Sequence, residues 1–347
     1  MDRSSQLSER KAAILGVLVR YHIRTGEAVG SEAIAVSTDL AVSSATIRNE
    51  LAALEDMGYL TQPHTSAGRV PTDLAYRHYV DMLPARPKLR DVERREVVRF
   101  FEEALADVDE ILRGTTQLLS RLTRYASLAL APSSRESAIA RMELVDLGSA
   151  TLLLIVFDTG RVEKRLLELR GDTPRDVVEA VSRLLTEAVN GLSLQAARQA
   201  VVERARGAEA SLRSLFSAVA DALGAIEEAG EAEHVLLGGT ANIAAEEVFR
   251  GRETLRHILE ALERESDVLH LLREAALTPP VTVTIGHENP VTGMWEASVV
   301  AAPYGPEGHA VGTIGVVGPT RMDYVTAISA VRTVAERLSA AVEALGR

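Results

Sequence analysis

The strand-forming segments of this chain fall into two sets with a helical block between them, and that split limits the folds open to it. ASLALA (126–131), AIARMELVDL (138–147), ATLLLIVFD (150–158) and RVEKRLLEL (161–169) follow one another, with Gly148 and Gly160 at the turns. Short strands in direct succession predict antiparallel pairing. Strands resume only at VTVTIG (281–286), MWEASVVAAPY (294–304) and HAVGTIGVVG (309–318). Between the sets, Val177, Val181, Leu184, Leu185 and Ala188 mark one amphipathic helix, and Leu212, Leu215, Phe216, Val219, Leu223 and Ile226 mark another. A lone strand, HVLLGG (234–239), ends that block, and a helix over about 252–276 leads to the second strand set. The pattern predicts an α+β host, residues 100–170 and 251–347, interrupted by a helix-rich insertion over 171–250. A last helix from 321 carries Tyr324, Ile328, Val331, Ala335, Leu338, Val342 and Leu345 in alternating fours and threes. This apolar seam suits packing on the sheet or pairing with a second copy, sheet packing being preferred.

Residues 1–83 have a different organisation. Leu7, Ile14, Leu15 and Leu18 share one helical face and Gly26 closes the unit; Ser31 opens a short second helix. A third helix follows in SSATIRNELAALEDMGYL (43–60). Leu60-Thr61-Gln62 then reads as a short strand, and His64, Thr65, Ser66, Gly68 and Arg69 as a turn-rich loop. Val70 starts a return strand, and Thr72 is an N-cap candidate for another helix. Three helices followed by a two-stranded hairpin is the order of a winged helix-turn-helix. Pro84 and Pro87 break the pattern, placing a linker in 84–99, with a charged helix running from about 90 to 124.

The third helix raises a chemical question, because its first turns are crowded with small polar groups. Ile47, Leu51 and Leu54 line one face, with Gly58 in register; Ala45, Arg48, Asn49 and Ala52 line the other. Alanines allow close approach to another surface. Arg pairs with guanine O6 and N7, and Asn with adenine N6 and N7. Ser43, Ser44 and Thr46 stand where free N–H groups and the helix dipole favour a phosphate, and either serine can serve as N-cap. Gly68 and Arg69 at the hairpin tip, beside His64, Thr65 and Ser66, offer a cation and short donors to neighbouring DNA. The whole set (Ser43, Ser44, Ala45, Thr46, Arg48, Asn49, His64, Thr65, Ser66, Gly68 and Arg69) is the candidate DNA-binding surface.

Bulk charge argues the other way. The formal net charge is −11 over 347 residues, and residues 1–83 hold 8 Lys+Arg against 10 Asp+Glu, leaving that segment at −2. DNA binding must therefore rest on where the basic groups sit.

Residues 43–80, SSATIRNELAALEDMGYLTQPHTSAGRVPTDLAYRHYV, resemble the DNA-binding domain of the HrcA family of bacterial heat-inducible transcription repressors. LLGGTANI (236–243), IGHENP (285–290) and GTIGVVGPTRMDY (312–324) extend the resemblance over essentially the whole chain. The resemblance implies a winged helix domain, a GAF-like domain and a dimerising domain inserted in the latter. It further implies a homodimer that binds an inverted-repeat operator ahead of chaperone genes, supported by a GroEL-type chaperonin. The alternative is a metabolite-responsive regulator that senses a ligand through the GAF-like domain.

No enzyme emerges from the remaining motifs. Gly238, Gly239 and Thr240 lack the Lys and spacing of a phosphate-binding loop and read as a turn. Thr320 and Asp323 fit a helix start, as N-cap and N3, and His287-Glu288-Asn289 fits a turn. The histidines show no ligand spacing and there is no nucleophile elbow, so neither metal nor cofactor is expected. Absence of cysteine and of a signal-like start suggests the cytoplasm, and ATLLLIVF (150–157) is too short to span a bilayer.

Overall fold

The apolar spacing of residues 9–25 produces the first long helix, and its caps show why it starts and stops there. In the computed structural model, Ser8 accepts from the Lys11 N–H and Gly26 closes the last turn of α1, Glu9–Thr25. Residues 7–37, 42–64, 67–103, 108–132, 137–148, 150–167, 174–229, 235–245, 252–276, 280–306 and 309–345 are described. Helices α2 (Ser31–Ser37) and α3 (Ser44–Asp56) follow, then the antiparallel pair β1 (Leu60–Thr61) and β2 (Val70–Pro71), and α4 (Asp73–Asp81). Ile14, Leu15 and Leu18 of α1, Ile34 of α2 and Ile47, Leu51 and Leu54 of α3 are buried together. Thr72 precedes α4 as expected, but its hydroxyl donates back to the Gly58 and Tyr59 carbonyls instead of capping the helix.

Helix α5 begins at Asp91 and runs to Glu103, so the connection out of the N-terminal unit is shorter than 84–99. Glu93 fixes that start by accepting from the Arg90 N–H and guanidinium. The connection is pinned at its middle, where buried Arg332 donates to the carbonyls of Ala85 and Pro87. Helix α6, Val108–Thr123, covers the rest of the expected charged helix.

One expectation about the sheets is overturned. The four strands from 126 to 169 do not share a sheet. β3 (Ala126–Leu130) lies inside a five-stranded antiparallel sheet of order β7-β3-β10-β9-β8, with β7 at Val235–Gly238, β8 at Thr282–Ile285, β9 at Ala297–Tyr304 and β10 at Gly312–Pro319. β4 (Ile139–Asp146), β5 (Thr151–Phe157) and β6 (Val162–Leu167) form a separate three-stranded sheet. The physical reason is two-sided against one-sided burial. Every residue of β3 is buried, and β9 and β10 are nearly so; β5 alternates, sending Leu153, Ile155 and Phe157 inward. That inner face packs on α7 (Arg175–Val189), α8 (Leu194–Gly207) and α9 (Ala210–Ala229). The excursion from β4 to α9 thus connects β3 to β7, which are neighbours in the larger sheet. α8, with its shorter apolar side chains, was not among the expected helices.

The five-stranded sheet is covered on both faces. Val300, Ala302, Ile314 and Val316 meet α6 and α13 (Tyr324–Leu345), whose seam lies on the sheet as expected. Val299, Ala301 and Val317 meet α11 (Arg252–Glu263) and α12 (Glu265–Ala276). α13 starts later than the Thr320 cap would place it. Asp323 accepts from the Thr326 N–H and hydroxyl, so it occupies the cap position, and Thr320 instead receives the Tyr324 hydroxyl. α10 (Thr240–Ala245) follows the expected turn at Gly239. The architecture is α+β. Among the described residues no helix is long and apolar enough to cross a membrane.

Candidate nucleic-acid interface

Helix α3 keeps the two faces that its sequence spells out. Ile47 and Leu54 are fully buried, whereas Ala45, Arg48, Asn49 and Ala52 are exposed. Gly58 belongs to neither face: the helix ends at Asp56, and Gly58 lies exposed beyond it. Ser43 is the N-cap, accepting from Thr46 N–H at 3.2 Å and sharing a hydrogen bond with the Thr46 hydroxyl at 2.9 Å. Ser44 bonds Ser31 of α2 at 3.2 Å. These hydroxyls are thus engaged inside the protein, and anion affinity at this end rests chiefly on the first-turn N–H groups and the helix dipole.

The acids of α3 are largely neutralised. Glu50 pairs with Lys11 at 2.9 Å and Arg10 at 3.9 Å, and Glu55 takes Arg69 through Nε at 2.9 Å and a terminal nitrogen at 2.7 Å. Arg48 is left as the forward cation of the exposed face, which resolves the conflict between this helix and the acidic bulk charge. Arg69 is therefore not presented as an outward cation. It braces the hairpin against α3, and its backbone exchanges two hydrogen bonds with Val29, at 2.8 and 2.9 Å.

Gly68 is required by the same close approach: a Cβ there would stand 2.5 Å from the Val29 carbonyl carbon. His64 is exposed at the hairpin; Thr65 and Ser66 lie outside the described residues. The structure thus groups Ser43, Ser44, Ala45, Thr46, Arg48 and Asn49 at one end of α3, and gives Gly68 and Arg69 structural duties beside them.

A second set of contacts joins this N-terminal unit to the five-stranded sheet, and sequence reading treated its residues as an ordinary turn. His287 and Glu288 sit on a single 3-10 turn, Gly286–Glu288. The Glu288 carboxylate takes Arg77 of α4 in two hydrogen bonds, one at 2.8 Å from Nε, while a terminal nitrogen of Arg77 also donates to the Val283 carbonyl at 2.6 Å. Asp73, at the start of α4, accepts from the His287 N–H at 3.0 Å and meets its Nδ1 at 2.8 Å. Gly286 has φ +52°, and a Cβ on it would collide with the Asp73 carboxylate. Asn289 is buried and donates to the carbonyls of Gly286, Met294 and Ala297, which fixes the turn. Nothing in local spacing marks these pairs, whose members lie more than 200 residues apart; the one available signal is the density of polar groups in GHEN.

Comparison with known proteins supplies the family. The family described as HrcA protein C terminal domain matches residues 109–328. The chain belongs to the HrcA family. A relative from Nocardia farcinica named heat-inducible transcription repressor HrcA is 41% identical over 334 residues, covering 96% of each chain. One of the same name from Moorella thermoacetica is 38% identical and covers 99% of this chain and all of its own. A solved structure, titled only as that of a hypothetical protein, superposes with a TM-score of 0.70 at 24% identity over 98% of this chain and all of its own. That similarity bears on the fold alone.

Proposed function

We propose that this chain is a homodimeric transcriptional repressor of heat-shock chaperone genes, binding an inverted-repeat operator through α3 and released on heat stress. The observation that carries the reading is the exposed face of α3, where Arg48 and Asn49 stand between Ala45 and Ala52 while Glu50 and Glu55 are paired. Residues 1–83 act as a winged helix, with α3 entering the major groove N-terminus first. Arg48 and Asn49 read bases, and the first turn of α3 from Ser43 to Thr46 seats a backbone phosphate. Two such helices in a dimer call for half-sites about one helical turn apart, or a multiple of it.

The five-stranded sheet with its two helical layers is the GAF-like domain implied by the family. The inserted dimerising domain begins earlier than 171, with β4, because β4, β5 and β6 share a core with α7, α8 and α9. Its outer sheet face supplies the dimer surface: Val145, Leu152 and Leu166 lie in register across the three strands, and Leu166 is 65% exposed. Support by a GroEL-type chaperonin and a cytoplasmic location rest on the family resemblance. The deciding experiment is a footprint on the protein's own chaperone-gene promoter at several salt concentrations. A protected inverted repeat is expected, and its absence would overturn the reading. Arg48→Ala is expected to cost about 1–3 kcal/mol on that operator and to relax specificity at one base pair.

A further inference from the structure

We infer that the crevice where α1, α4 and the approach to α13 meet is a binding site for a small multiply charged oxyanion of the phosphate or oligophosphate class. It encloses about 540 Å³ and is lined by Arg20, Ile23 and Arg24 of α1, Tyr79 of α4, Tyr125, and Pro319, Arg321 and Asp323. Three guanidinium groups and one carboxylate line it, in a chain whose net charge is −11. Arg20 and Arg24 form no ion pair with any described residue; Arg24 lies over the Tyr21 ring at 5.4 Å. Arg321 packs against the turn at Gly26 that ends α1. Asp323 is already committed, its oxygens taking the Thr326 N–H at 3.1 Å and the Thr326 hydroxyl at 2.7 Å.

Like charges gathered in a crevice repel one another, and a multivalent anion removes that repulsion. The planar fork of arginine suits oxyanions, donating to two of their oxygens at once. A larger groove, of about 860 Å³ between α11, α12 and residues 290–295, lacks this imbalance: its Arg264 faces Asp267 at 3.9 Å and its His270 faces Glu274 at 3.8 Å. The charged crevice also lies across a seam, with α1 and α4 of the N-terminal unit on one side and residues 319–323 on the other. Its occupant would tie the two units together. This site goes beyond the repressor reading and stands without it.

The test is thermal unfolding of the full chain in sodium tripolyphosphate, with ionic strength held constant by sodium chloride. The melting temperature is expected to rise by about 2 °C or more at saturation. The rise should vanish in the Arg20→Gln/Arg24→Gln double variant and persist in Arg175→Gln, which alters an exposed arginine of α7. If the double variant already melts far below wild type, calorimetric titration of Arg24→Gln and of wild type replaces it, with binding of one anion per chain and at least a tenfold loss expected. A flat wild-type response, or one that the variants retain, overturns the proposal. Loss of DNA affinity in the double variant, combined with a flat tripolyphosphate response in wild type, would assign these arginines to a nucleic-acid backbone and also overturn it.

Discussion

Arg48 and Asn49 sit side by side on α3 yet should fail differently. Arg48→Lys keeps the charge but loses the planar fork, so it should retain most salt-dependent affinity while losing discrimination at a guanine. Operator and scrambled-duplex titrations at matched salt check this, and equal loss on both would assign Arg48 to phosphate. Gly68→Ala tests the hairpin's geometry: a Cβ pressed on the Val29 backbone should cost about 1–3 kcal/mol, read as a lower melting temperature. His22, buried in the last turn of α1, offers a test by pH. Burial holds His22 below its ordinary value of 6.5, against the raising effect of its hydrogen bond to the Glu27 carbonyl, and Arg321 lowers it further. The folded state then binds fewer protons than the unfolded chain. Its contribution is full above 6.5 and is lost as pH falls below that toward the depressed folded value. Melting temperature should therefore drop between about pH 7.5 and about pH 5.5, and the drop should shrink in His22→Gln. The α3 face was legible because a helix repeats every 3.6 residues and its buried positions are near neighbours in sequence. The Arg69–Glu55 pairing was not legible, because a cation at a loop tip looks free until the partner, fourteen residues earlier on α3, is brought beside it.

Between elements, the contact of α4 with the 286–288 turn decides how the N-terminal unit sits. Arg77 and Glu288 are partly exposed, so their pair contributes about 1 kcal/mol after solvent screening, with the Asp73–His287 contact beside it on the same turn. Glu288→Ala should leave the core intact and loosen the docking. Faster hydrogen exchange in α4 and easier proteolysis in the 82–90 connection are the expected signs, with unchanged protection in β9 and β10. Uniform protection across the chain would show that the apolar contacts suffice, among them Tyr76 against Tyr324 at 6.1 Å. Element order was legible except at α8 and at the break between α11 and α12, because each strand run and most helices carry their own period. Sheet membership was not, since consecutive strands pair by default in any sequence reading. The clue was there in hindsight: ASLAL is apolar or small at every position, fitting a strand buried on both faces, whereas RMELVD alternates.

At the scale of the whole molecule, the β4–α9 segment and the five-stranded sheet do different things with similar material. The three-stranded sheet is closed on one face by α7, α8 and α9 and leaves Val145, Leu152 and Leu166 across the other. An exposed apolar row across a sheet surface is costly in water, and covering it with a second copy removes that cost. The dimer reading then fixes what heat must do: DNA release and dissociation, followed by light scattering, should occur at the same temperature, and clear separation would remove dissociation as the release step. Leu152→Glu/Leu166→Glu isolates the same step without heat. Two carboxylates in one row oppose each other across any self-paired face, while Ile155 and Phe157 keep the insertion's own core. The variant should retain its circular dichroism spectrum and sediment as a monomer. Its footprint should shrink to weak half-site contacts, because the second recognition helix is no longer supplied at high effective concentration. A variant that sediments as a dimer would move the interface elsewhere. A monomer with undiminished operator affinity would separate DNA binding from dimerisation altogether.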